Sequence, residues 1–138
     1  MSAIPQSNWL SSEDYLALER ASAERHEYYR GEMFAKGGAS LPHNQLTLAI
    51  ASRLYTALEQ SKCMVASSDL RVKVSATGLY TYPDVVVTCE QPRFEDDKLD
   101  TLVNPQLIVE VLSESTEQYD RGKKFEQYRQ IDSLREYV

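Results

Sequence analysis

Leu107-Ile108-Val109-Glu110-Val111-Leu112 is a six-residue apolar run broken by one acid. A stretch that is apolar at every alternate position, on both sides, reads as a central strand covered on both faces. It commits the chain to a sheet with helices packed on it. Glu110 is then the anomaly, because burying an ionised carboxylate is costly unless a metal, a cation or a proton compensates it. A structural salt bridge to a buried arginine, or a position on an open sheet edge, would also account for it.

Upstream, Tyr80-Thr81-Tyr82-Pro83-Asp84-Val85-Val86-Val87 carries a second acid into an apolar strand expected over Tyr80 to Thr88, after a turn at Gly78. Pro83 has no N–H for a strand ladder, so it marks a distorted or edge position. An Asp after Pro is by itself ordinary turn chemistry. Beside Glu110 on a neighbouring strand, Asp84 completes a hard, anionic oxygen site of the kind magnesium takes, with waters filling the octahedron.

The rest of the chain is read outward from these strands. Met64 to Val74 sets Leu70, Val72 and Val74 against Asp69, Arg71 and Lys73, which predicts one strand with a buried and a polar face. Before it, a long helix is expected from about Pro42 to Gln60, capped by Ser40, with an apolar stripe at Leu46, Ile50, Leu54 and Leu58. A first helix starts at Ser11 or Ser12, carries Tyr15, Leu16 and Leu18, and fades by Ala21 to Glu24. Glu27 to Ala35 reads as a hairpin turning at Arg30-Gly31. Beyond the central strand, Ser113, Ser115 and Thr116 introduce a helix over Glu117 to Gln130, and Arg135 to Val138 begins another strand. From Pro42 onward the order is α-β-β-β-α-β: an α/β class with a mixed (α+β) sheet and helices packed on it.

Composition limits the alternatives. A chain of 138 residues, 42% hydrophobic and 26% charged, suits one globular domain over residues 1–138. No apolar run approaches a membrane span, and Met1 to Asn8 lacks the features of a secretory signal, so a cytoplasmic protein is expected. In that setting Cys63 and Cys89 are expected as reduced, partly buried thiols rather than a disulfide, and neither shows zinc-ligand spacing with His26 or His43. The net charge of −6 runs against a general DNA-binding surface. Two local clusters, Arg71 with Lys73 and Arg121 with Lys123, Lys124 and Arg129, are candidates to flank a nucleic-acid cleft. Solvated surface charge explains each of them as well.

Five blocks, in order, resemble a known family: Tyr29-Arg30-Gly31-Glu32; Ser67-Ser68-Asp69-Leu70-Arg71-Val72; Tyr82-Pro83-Asp84-Val85-Val86; Val109-Glu110-Val111-Leu112-Ser113; and Tyr119-Asp120-Arg121-Gly122-Lys123-Lys124-Phe125 with Tyr128. Together they resemble the PD-(D/E)xK nuclease superfamily. Within it they resemble the bacterial restriction-endonuclease-like proteins once known only as a domain of unknown function. The resemblance covers nearly the whole chain and implies a restriction-endonuclease-like fold. One position departs from the superfamily pattern: its usual lysine would stand at 112, where this chain has Leu112. In the resembled family a lysine on the following helix substitutes, and the match here is Lys124. Helical spacing puts Asp120, Lys124 and Tyr128 on one face, with Lys123 as the fallback. A surface pair between Asp120 and Lys124 is the plainer alternative.

The resemblance also marks Glu32 and Asp69 as supporting positions that could add an oxygen to a metal or orient Lys124. His43 could touch a phosphate or carry a proton, although a capping or exposed histidine is the commoner case. Tyr28, Tyr80, Tyr82 and Tyr128 could line a cleft, and aromatic core packing explains them equally.

The implied activity is metal-dependent endonucleolytic hydrolysis of phosphodiester bonds, with DNA the expected substrate. Magnesium, for which manganese can substitute, would be held by Asp84, Glu110 and the Val111 carbonyl. Lys124 would stabilise charge on the phosphate. Two other readings stand beside it: a catalytically silent nuclease-like binding or regulatory module, and a toxin or interaction subunit that needs a partner chain. Relatives of this kind continue into further strands. The expectation is therefore a domain cut short at Val138, with an open sheet edge that invites a homodimer.

Overall fold

The structure, a computed structural model, describes residues 9–112 and 123–138. Helix α1 (Ser12–Ala21) begins at Ser11, whose hydroxyl accepts the Asp14 N–H at 3.1 Å. Strands β1 (His26–Tyr29) and β2 (Glu32–Ala35) form the expected hairpin. Its two-residue turn has positive φ at both Arg30 (47°) and Gly31 (83°), the twist that suits an antiparallel pair. A Cβ at Gly31 would lie 2.4 Å from the Trp9 ring, so the close approach of Trp9 also requires glycine there.

Helix α2 (Leu41–Leu58) follows, with Ser40 accepting the His43 N–H. Then come β3 (Met64–Ser67), β4 (Arg71–Val74), β5 (Leu79–Thr81), β6 (Val85–Thr88), β7 (Thr101–Leu102) and β8 (Leu107–Val109). The described chain ends with α3 (Phe125–Tyr128) and β9 (Glu136–Tyr137). Of the helix expected over Glu117 to Gln130, residues 117–122 lie outside the described part.

The mixed α/β class is what the structure shows, but the two long strands expected over 64–74 and 80–88 each divide. The Leu70 N–H donates to the Ser67 carbonyl at 3.0 Å, closing a turn after β3, and Pro83 interrupts the second strand. The two stretches still run antiparallel, with Met64↔Thr88 through Ser67↔Val85 in one arm and Val72↔Thr81 through Val74↔Leu79 in the other. They make one ribbon bent at residues 68–70 and 82–84, with an arm in each of two sheets. The first sheet has the order β2-β1-β5-β4-β7 and the second β3-β6-β8-β9. Both are mixed, because β4 with β7 and β8 with β9 are parallel.

The main core draws on both sheets: Val72, Val74, Leu79 and Leu102 from the first, Val86 and Ile108 from the second, with Tyr128 and Ile131 closing it. A smaller cluster sets Tyr15 and Leu16 of α1 against Tyr28 and Tyr80, with the Tyr15 and Tyr28 rings stacked at 4.9 Å. Helix α2 packs on β3 and β6. Its expected apolar stripe is only half-buried at Ile50, Leu54 and Leu58, and Leu46 is 51% exposed. Strand β3 is the margin of its sheet, so a helix laid over it overhangs the edge.

The cysteines correct a second expectation. One place beyond Met64↔Thr88, the β3–β6 register sets Cys63 opposite Cys89, their Cα atoms 3.9 Å apart, and the two sulfurs are bonded. Pairing of strands distant in sequence brings them together, which spacing alone does not reveal.

Candidate active site

A cleft of about 740 Å³ opens at the bend of the ribbon, between the start of α2 and the ends of β6 and β8. The β6–β8 register pairs Val85 with Val109, so the next places hold Asp84 and Glu110. Each acid accepts an N–H from the other's segment. Asp84 donates its backbone N–H to Glu110 Oε1 at 3.1 Å, and Val111 donates its own to Asp84 Oδ2 at 2.7 Å. Both side chains are nine-tenths or more buried, and both line the cleft.

The outer oxygen of Glu110 is held from the C-terminal segment. Lys124 Nζ lies 3.2 Å from Glu110 Oε2, and the Tyr128 hydroxyl donates to the same oxygen at 2.8 Å. Residues four apart on a helix share a face, which is why both reach one carboxylate. Lys124 also lies 3.1 Å from Glu27 Oε2, and that carboxylate accepts the Thr81 hydroxyl. Burial pushes the Glu110 carboxyl above the usual carboxylate range and the Asp84 charge adds to this, while Lys124 opposes it.

On the other wall, the cap of α2 places His43 with Nε2 3.3 Å from Asp84 Oδ2, and its buried Nδ1 has no hydrogen-bond partner among the described residues. Lys36, just past β2, donates to the Tyr82 carbonyl at 2.8 Å. Beneath the cleft, the Tyr82 hydroxyl donates to Glu19 Oε2 at 2.7 Å and accepts from Arg71 at 2.9 Å.

Of the residues singled out in the sequence, Asp84, Glu110, Lys124, Tyr128 and His43 meet in one place, and Val111 lies beside them. Asp69 stands at the rim in an exposed pair with Arg25 at 3.1 Å. Glu32 is exposed in β2 and Lys123 is exposed before α3, and neither lines the cleft. The basic strip needs correction. Arg71 is buried, hydrogen-bonded to Thr101 and Tyr82 and ion-paired with Asp100, because the segment before β7 folds over it. Lys73 is half-buried against Glu95 at 2.8 Å, away from the cleft. Arg121 lies outside the described residues.

The sequence reading passed over Glu27, Lys36 and Glu19. Each is a single charged residue in or beside a short element, and only the alternation of Glu27 with Tyr28 hinted that it faces one side of a strand. As a donor set, two carboxylates and the neighbouring main-chain carbonyl of Val111 suit a hard ion that keeps much of its water shell. Among the described residues, no group of three or more His, Cys, Asp or Glu side chains forms a closed metal cage.

This fold is similar to the crystal structure of a putative nuclease belonging to DUF820 from Anabaena variabilis. The match has a TM-score of 0.65 and 18% identity, and covers 85% of this chain and 66% of that one, so this chain spans just under two thirds of its length. In sequence it is 40% identical over 131 residues to the uncharacterized protein slr1290 of Synechocystis sp., covering 94% of this chain and 67% of the relative. It is 35% identical over 138 residues to the uncharacterized protein sll1609 of the same organism, covering 100% of this chain and 78% of the relative. The model of the Uma2 family, described as putative restriction endonuclease, matches residues 12–138, and the chain therefore belongs to that family.

Proposed function

We propose that this chain is a metal-dependent endonuclease that hydrolyses phosphodiester bonds, with DNA as its substrate. The observation that carries the reading is the register pair Asp84–Glu110: two buried carboxylates at the floor of an open cleft, with Lys124 beside them. Asp84, Glu110 and the Val111 carbonyl would hold magnesium or manganese, an ion that when bound lowers the pKa of a water and draws charge from the phosphate. The charge of the cleft supports a cation there. Arg25, Lys36 and Lys124 line it against Glu24, Glu27, Asp69, Asp84 and Glu110, a balance that repels a phosphodiester unless positive charge is added.

Within this reading the chain's own residues divide the work. Tyr128 and Lys124 fix the Glu110 carboxylate, and His43 with the Val111 N–H fixes Asp84. Lys124, shared between Glu27 and Glu110, turns its charge toward phosphate oxygens as negative charge builds on them. Water is the nucleophile, so no side-chain nucleophile is required.

The test is cleavage of supercoiled and single-stranded DNA with magnesium or manganese, comparing wild type with Asp84→Ala and Glu110→Ala. Nicking that needs the metal and disappears in both variants is the expected result. Cleavage that persists in both would refute the assignment. A second reading, a silent binding module, is favoured by the direct Lys124–Glu110 pairing, which satisfies the acid without metal. It predicts DNA binding with no cleavage at any metal concentration.

Among the described residues no helix is long and apolar enough to cross a membrane. The proposal keeps the cytoplasm, where a DNA substrate lies, and with it the expectation that cellular reductants open the Cys63–Cys89 bond there. It also keeps a homodimer formed through one of the strands that flank the second sheet among the described residues, β3 or β9. Sedimentation equilibrium distinguishes a dimer mass from a monomer mass.

A further inference from the structure

Lys36 stands apart from the other cleft cations. Lys124 contacts two carboxylates, and Arg25 pairs with Asp69. Among the described residues no carboxylate lies within ion-pair distance of Lys36. Its Nζ instead donates to the Tyr82 carbonyl at 2.8 Å and sits 5.6 Å from the centre of the Tyr82 ring. An ammonium carries three N–H donors, and this contact uses one of them. The carbonyl it holds lies in the bend of the ribbon, two residues before Asp84, and Lys36 lines the same cleft as the acid pair.

Burial disfavours the Lys36 charge, while the fields of Asp84 and Glu110 favour it. A partly buried cation without a direct counter-ion is one whose desolvation an anionic ligand would offset.

We propose that Lys36 binds a non-bridging phosphate oxygen of the substrate strand beside the Asp84–Glu110 pair, as a substrate-binding residue separate from Lys124. The proposal rests on the phosphodiesterase reading and adds the residue that grips the polyanion before chemistry. It accounts for how an acidic cleft holds a phosphate: one cation is shared with the carboxylates and another is left for the ligand. The carbonyl contact and the aromatic face fix the ammonium in position, so little side-chain freedom remains to be lost when the phosphate arrives.

The experiment is equilibrium binding of a fluorescein-labelled single-stranded oligonucleotide in calcium, over a series of salt concentrations. Wild type is compared with Lys36→Gln, which keeps an N–H donor for the Tyr82 carbonyl, and with Lys36→Arg, which keeps the charge. Losing one phosphate contact lowers the slope of log K against log salt by about 0.7 for a single strand. The expected result is several-fold weaker binding and that slope change in Lys36→Gln, with both restored in Lys36→Arg. An unchanged slope in Lys36→Gln, whether affinity falls or not, overturns the proposal, because a purely structural role does not alter the number of counter-ions released. Wild type that binds and cleaves DNA alongside such an unchanged slope removes only the Lys36 assignment. Wild type that binds no oligonucleotide at any salt removes the phosphodiesterase reading and this proposal together.

Discussion

Glu110 accepts from three donors in two parts of the chain: the Asp84 N–H from before β6, and the Lys124 ammonium and Tyr128 hydroxyl from the α3 segment. Hydrogen bonds to a charged group contribute about 1.5–3 kcal/mol each. Tyr128→Phe removes one of them without changing the shape of the core. It is expected to lower stability in urea by an amount in that range and to reduce DNA cleavage about tenfold through loss of carboxylate orientation. Full activity in this variant would show that Lys124 and the backbone suffice to place Glu110. At this scale the acids were legible because each interrupts an apolar run of sequence, although in the fold each sits one place outside its strand, Asp84 before β6 and Glu110 after β8. Lys124 came into view through the resemblance and through its spacing to Tyr128. Arg71 was misread for a definite reason: strand alternation puts it on a polar face, but Tyr82, Thr101 and Asp100 cover that face. Coverage by a segment distant in sequence leaves no local pattern.

The elements position the site through the bent ribbon. Alternation in Met64 to Val74 and Tyr80 to Thr88 announced strands, but period-two patterns carry no mark of where a strand leaves one sheet for another. Pro83 was the only local sign. The Cys63–Cys89 disulfide ties the far end of the β3–β6 arm, about 17 Å from Asp84 at the strand rise of about 3.4 Å per residue. Closing a loop of this length contributes about 3.5 kcal/mol by the chain-entropy argument. Reduction, or Cys63→Ser with Cys89→Ser, is expected to lower the denaturation midpoint and leave the cleavage rate of the folded protein unchanged. Loss of cleavage under conditions where the chain stays folded would tie the disulfide to the site. Elsewhere, Arg20 of α1 clamps the segment before β7, bonding both Asp96 and Asp100. The Arg20 guanidinium holds the Asp100 carboxyl at about 2, below its ordinary 3.8. A carboxyl lowered on folding contributes stability that is present above its ordinary value and lost as pH falls toward the folded one. Arg20→Ala should therefore destabilise the protein near neutral pH and flatten the loss of stability between about pH 4 and pH 2. An acid unfolding limb identical to wild type would contradict this.

At the scale of the whole molecule, the two sheets share one core, and the site sits where the ribbon passes from one to the other. Ile108 is fully buried between the sheets two residues before Glu110, so its packing bears on the fold and on the site. Ile108→Ala is expected to cost about 2–5 kcal/mol in chemical denaturation, the range for emptying a packed core position. A smaller loss would mean that the sheets close around the gap. The mixed α/β class was legible because an apolar central strand flanked by helical patterns has few other solutions. The division into two sheets was not, because it depends on pairing between distant segments. The net charge of −6 says little about the cleft, where a few residues set the local field. The measurement that tests the central claim most directly is calorimetric titration of manganese into wild type, Asp84→Asn and Glu110→Gln, each checked for native unfolding behaviour. The account predicts saturable binding in wild type that is lost or strongly weakened in both variants. Equal binding in all three, or none in wild type, would contradict it.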